Sequence, residues 1–137
     1  MTDTMTNPAD MTTAPEDALV WCEIPVTDLD AAIAYYGAVL DHPLVRNDEG
    51  PNPMAMLPVK SPMDGTAGHL YPGKPAGDGS GVTVHLAVPV LEAALERVLE
   101  AGGRVLPGII PIPSGRFAYT LDPDGNSIGL FEFSKAK

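Results

Sequence analysis

The chain has 137 residues and a formal net charge of -10, from 18 acidic and 8 basic side chains. No run of Lys or Arg occurs, and binding to nucleic acid or to an anionic membrane surface needs a basic patch, so both partners are excluded. The single cysteine, Cys22, excludes an intrachain disulfide and a cysteine zinc cluster.

No stretch approaches the ~20 apolar residues of a membrane span. The opening MTDTMTNPADMTTAPED has neither the basic head nor the apolar run of a secretory signal. A cytoplasmic protein is expected, with residues 1–15 as a flexible tail and 16–137 as one domain.

In chain order, 19–26 (LVWCEIPV) is apolar and β-branched and reads as a strand. Thr27 with Asp30 three residues on resembles a capping box at a helix start. Leu29, Ile33, Tyr36 and Leu40 then form one apolar helical stripe, which should stop before His42-Pro43. Short strands are predicted at 44–46, 54–59 and 65–71. Residues 73–81 lie in the richest Gly/Pro stretch and read as a linker.

The pattern then restarts. Residues 82–88 read as a strand, and Leu91, Leu95, Val98 and Leu99 mark a helix that Gly102-Gly103 can cap. Strands are predicted at 104–112, 116–121 and 127–133, the last two joined by a turn at Asp122-Pro123-Asp124-Gly125-Asn126. The two starts superimpose at a shift of 62 residues, which lays Val20 on Val82, Leu29 on Leu91 and Glu23 on His85. The expected fold class is therefore α+β: two tandem βαβββ modules, about 17–72 and 82–134, pairing edge to edge into a cupped eight-stranded sheet.

LVWCEIPVTDLDAAIAYYGAVLD, VTVHLAVPVLEAALERVLEAGGRVL and GRFAYTLDPDGNSIGLF together resemble the vicinal oxygen chelate superfamily of glyoxalases, bleomycin-resistance proteins and extradiol dioxygenases. The resemblance covers about residues 17 to 133. Its metal-using members draw one ligand from the first strand and one from the last strand of each module. Carried over by position, the first-strand sites fall at Trp21 and Thr83. The last-strand site of the second module falls at Gly129, within Ile128-Gly129-Leu130. In the first module it falls at Gly68 or, one residue along, at His69, with the internal repeat favouring Gly68. Side chains of Trp, Thr and Gly cannot supply the converging donors that a divalent cation needs. The resemblance thus implies a member with no metal cofactor; a divalent metal held with His69 or His85 is the alternative.

Strand alternation places Glu23 on the face of Trp21 and His85 on that of Thr83. Glu23 and His85 are the candidate catalytic pair, a carboxylate and an imidazole able to shuttle a proton. Against that stand two plainer uses: polar anchors for a ligand, or a buried pair tying the modules together. These rank above catalysis. Trp21, Thr83, His69, Met54, Met56, Gly129 and Phe131 are expected to line the pocket. Trp21 offers a stacking platform, although core packing is its commoner role. The expected partner is a small, partly apolar molecule held by a monomer or homodimer. The competing reading is a glyoxalase-like lyase or isomerase, or a dioxygenase. Such an enzyme would use Glu23 and His85 or an unorthodox metal site.

Overall fold

A computed structural model of the chain describes residues 13, 15, 17–61 and 67–135. Nearly all of the expected tail at 1–15, and the first two residues of the strand expected at 65–71, lie outside the described residues.

The first unit runs β1 (Trp21–Val26), α1 (Leu29–Leu40), β2 (Arg46–Asn47), β3 (Met54–Met56) and β4 (Ala67–Pro72). Its sheet has the order β1-β4-β3-β2, with β1 and β4 parallel and the other pairs antiparallel. The second unit runs β5 (Val84–Ala87), α2 (Leu91–Ala101), β6 (Arg104–Val105), β7 (Ile110–Ile112), β8 (Gly115–Leu121) and β9 (Ser127–Phe133). It repeats the arrangement as β5-β9-β8-β6, with β7 also on β8. The βαβββ duplication expected from the repeat is present, and no helix of the described residues is long and apolar enough to cross a membrane.

Three expectations are refined. The described residues form nine strands in two hydrogen-bonded sheets, with β1 and β5 each at an edge, instead of one eight-stranded sheet. The strand expected at 104–112 is broken in two. β6 and β7 both pair with β8, but Pro107 between them has no N–H to donate and Gly108 takes φ 96. Register is the third. β1 sets Glu23 against His69, and β5 sets His85 against Gly129. His69, not Gly68, is therefore the counterpart of Gly129. Gly68 faces the helix side, where a Cβ would run into the sulfur and carbonyl of Cys22.

The core lies between the sheets and the two helices. Ile24 and Val26 of β1, Leu70 of β4 and Leu130 of β9 pack with Leu29, Tyr36 and Val39 of α1 and with Leu91, Ala94 and Val98 of α2. Leu99, one of the four residues that marked α2, is exposed, because it lies seven residues after Glu92 and three after Glu96, on their solvent-facing side of the helix. The helices touch each other, and Arg97 Nε donates to the Val39 carbonyl at 3.1 Å. Asp28, not Thr27, caps α1 by accepting from the Ala31 N–H at 3.0 Å. Val90 begins α2 with no side-chain cap of its own; Glu132 of β9 accepts from the Leu91 N–H at 2.8 Å.

Thr27 does other work. The turn between β8 and β9, with Gly125 at φ 86, reaches across to the β1–α1 junction. Thr27 donates from its hydroxyl to Asp124 at 2.6 Å, and Asn126 Nδ2 donates to the Pro25 carbonyl at 2.8 Å. Buried Asp122 accepts from the Tyr36 hydroxyl at 2.6 Å and from the backbone N–H groups of Asp124 and Asn126. Burial, with the Asp122 charge second, pushes the Tyr36 hydroxyl well above the ordinary tyrosine range.

Candidate functional site

Because β1 and β4 are parallel and in register, alternation puts Trp21 and Glu23 beside Ala67, His69 and Tyr71 on the face away from the helices. Met56 stands against His69 on the other side, and Met54 follows it by the same alternation. Here three side chains fall into line. The Trp21 indole N–H donates to His69 Nδ1 at 2.9 Å, and His69 Nε2 stands 3.9 Å from Glu23 Oε2. His69 is 9 % exposed, whereas the Glu23 side chain is 62 % exposed. Tyr71 meets the imidazole edge-on, with centroids 6.1 Å apart.

An indole nitrogen can only donate, so His69 Nδ1 must accept. In the neutral ring the proton then sits on Nε2, turned towards Glu23. The line opens into a cleft of about 280 Å³, walled by Glu23, His69, Tyr71 and Met54 and closed on one side by Pro51, Asn52 and Pro53. No Lys or Arg borders it.

The equivalent face of the second unit is built differently. His85 takes the place of Glu23, and with glycine at 129 its ring lies over the backbone, where a Cβ at 129 would fall on the imidazole. Phe117 meets His85 edge-on at 5.0 Å, with Tyr119 at 5.8 Å and Phe131 at 6.5 Å. Phe117 and Phe131 stack on each other at 6.0 Å. Thr83 and Ser127 share a hydrogen bond of 2.6 Å at the positions matching Trp21 and Ala67.

The anticipated residues thus separate into two groups. Glu23, His69 and Met54 meet at one cleft, with Trp21 behind His69 and Met56 beside it. His85, Gly129 and Phe131 belong to the aromatic cluster of the other unit. The polar neighbour of Glu23 is His69, and the ring neighbours of His85 come from β8 and β9. Between the units, along the seam of β1 with β5 and β9, a second cleft of about 350 Å³ touches Trp21, Cys22, Val84 and Ser127. Burial raises the Cys22 thiol above its ordinary range, which keeps it protonated and a poor nucleophile.

Sequence reasoning missed Tyr71 and the 51–53 segment. Tyr71 was legible, since it follows His69 by two on a strand. The segment was not, because its Pro and Asn residues announce a turn without saying what it covers.

The residues present do not fit a metal centre of the kind that metal-using relatives carry. The four equivalent positions hold Trp21, His69, Thr83 and Gly129. Trp21 turns its donor N–H onto His69, and the room at Gly129 is filled by the His85 ring. Among the described residues no three His, Cys, Asp or Glu side chains converge.

Comparison with known proteins agrees with this architecture. Residues 18–130 match the family described as Glyoxalase/Bleomycin resistance protein/Dioxygenase superfamily. A Mycobacterium bovis protein carrying the name "Putative glyoxylase CFP32" is 24% identical over 121 residues, 84% of this chain and 45% of that protein. The chain therefore spans about half the length of that curated relative. Among solved structures, a glyoxalase/bleomycin resistance protein from Albidiferax ferrireducens superimposes with a TM-score of 0.66 at 21% identity, covering 83% of this chain and 97% of that one. A glyoxalase I mutant from Zea mays gives a TM-score of 0.64 at 25% identity, covering 83% and 46%.

Proposed function

The chain belongs to the glyoxalase/bleomycin resistance protein/dioxygenase superfamily, and on that premise we propose that it is a metal-independent member that binds a small organic molecule in the Glu23–His69 cleft. The observation that supports this most is the hydrogen bond from Trp21 to His69. It commits the one imidazole at a ligand-equivalent position to an organic partner and leaves a donor and an acceptor facing a cleft walled by Tyr71, Met54 and two prolines. Few polar groups set in a largely apolar concavity are what small-molecule sites present.

The test is thermal denaturation and elemental analysis of the purified protein, with and without zinc, nickel, manganese and iron(II). We expect no stoichiometric metal and no rise in Tm, because a ligand that binds the native state must stabilise it. Retention of one metal per chain through dialysis, with loss of stability on chelation, would overturn the reading.

A further inference from the structure

We propose that the Glu23–His69 cleft selects an uncharged, hydroxyl-bearing ligand, an alcohol or phenol with an apolar body, whose oxygen bridges the two side chains. The inference deepens the binding role proposed above and rests on it.

Three observations carry it. First, Trp21 fixes the tautomer, so Nε2 of neutral His69 is a donor and cannot accept. Second, Glu23 Oε2 is a carboxyl oxygen 3.9 Å from that nitrogen, too far for a direct hydrogen bond. Among the described residues neither has a closer polar partner. Third, an oxygen about 2.8 Å from both atoms spans that gap with ordinary hydrogen-bond lengths.

A hydroxyl is the simple group that satisfies both ends. Its oxygen accepts from Nε2–H and its proton goes to Glu23. An ether oxygen accepts but leaves the carboxylate without a donor. An ammonium can pair with Glu23 but has no lone pair for Nε2–H. A carboxylate accepts from His69 and is repelled by Glu23. Tyr71, Met54 and the prolines of 51–53 provide the apolar wall for the rest of the molecule.

Four probes that share one phenyl body separate these cases: benzyl alcohol, benzyl methyl ether, benzylammonium and benzoate, titrated calorimetrically at about pH 8, where histidine is ordinarily neutral. The alcohol should bind at least ~10-fold more tightly than each of the others, the effect of a hydrogen bond to a charged group. Glu23→Ala, at an exposed side chain, should bring the ratio of alcohol to ether affinity close to one, and an alcohol preference that survives the substitution would overturn the proposal. Trp21→Phe should narrow it too, and nitrogen-15 spectra of the histidines should show His69 losing its single tautomer. Binding of all four with equal affinity would overturn the hydroxyl preference and leave the cleft as a binding site. Failure of every probe to bind at millimolar concentration would overturn both.

Discussion

The two halves of this molecule share one backbone plan and diverge at a few positions on equivalent strands. Where the first half has Glu23 beside His69, the second has His85 beside Gly129. A side chain at 69 holds a polar line open to solvent. Its absence at 129 lets an imidazole settle onto the sheet among Phe117, Tyr119 and Phe131. One half thus offers hydrogen bonds at a cleft and the other offers ring faces. A duplicated fold need not keep a duplicated site: the identity of one inward residue on the last strand decides what its neighbour can do.

The largest break in the comparison concerns a device that, among the described residues, belongs to the second half: the turn that clasps the first. Asp122 is buried and accepts from Tyr36, Asn126 and Asp124. Asp122→Ala would leave the Tyr36 hydroxyl and a backbone N–H buried without their acceptor and would loosen Asn126 from Pro25. The expected loss is about 3–5 kcal/mol, the cost of removing one partner from a buried polar network. Urea denaturation with fluorescence and circular dichroism would measure it. A loss below about 1 kcal/mol would mean that the clasp is ornamental.

Next in size is the glycine itself. Gly129→Ala places a methyl on the His85 ring, which must swing out of its aromatic surroundings. We expect a loss of about 1 kcal/mol, the low end for overpacking, because His85 is exposed and its ring can turn towards solvent. His85→Ala in the same background should return most of it, because the clash is then gone. A double-mutant cycle with no coupling would show that the His85 position does not depend on glycine at 129.

Much of the fold was legible in the chain. The restart at Val82, the stripe of α1 and the turn at Asp122–Asn126 each follow from a local pattern, and each is present. What escaped was set by distance rather than by neighbours. The register of β4 depended on a loop whose length differs between the halves: the first strands repeat at a shift of 62, which sets Glu23 on His85, whereas the last strands repeat at 60, which sets His69 on Gly129. A position carried over from the repeat therefore fell short of His69. The Glu23–His85 pairing failed to appear among the contacts of either residue for a related reason: a two-fold relation inferred from sequence gives equivalence, not adjacency. The break between β6 and β7 could have been read from Pro107-Gly108, which interrupts 104–112 in plain view.

The helix starts sharpen the comparison at its small end. α1 is capped by its own Asp28, a contact within one turn. α2 is capped from a distance by Glu132, which Arg116 holds at 2.9 Å while also gripping Glu92 through two contacts of 2.7 Å. Asp28→Ala should cost about 1 kcal/mol, as N-cap losses do. The cap of α2 should instead reveal itself through pH. The Leu91 N–H and the Arg116 guanidinium hold the Glu132 carboxyl below its ordinary range, and Arg116 does the same for Glu92. A carboxyl whose folded pKa is depressed adds stability above its unfolded value of about 4.5 and loses it as pH falls through the folded one. Denaturation midpoints should therefore drop as pH is lowered below that value, and Arg116→Ala should flatten the drop. Glu132→Gln should flatten it as well, since the amide oxygen can still accept from Leu91 but no longer titrates. An acid limb that keeps its slope in both variants would place the titrating groups elsewhere and leave the long-range cap of α2 without an electrostatic role.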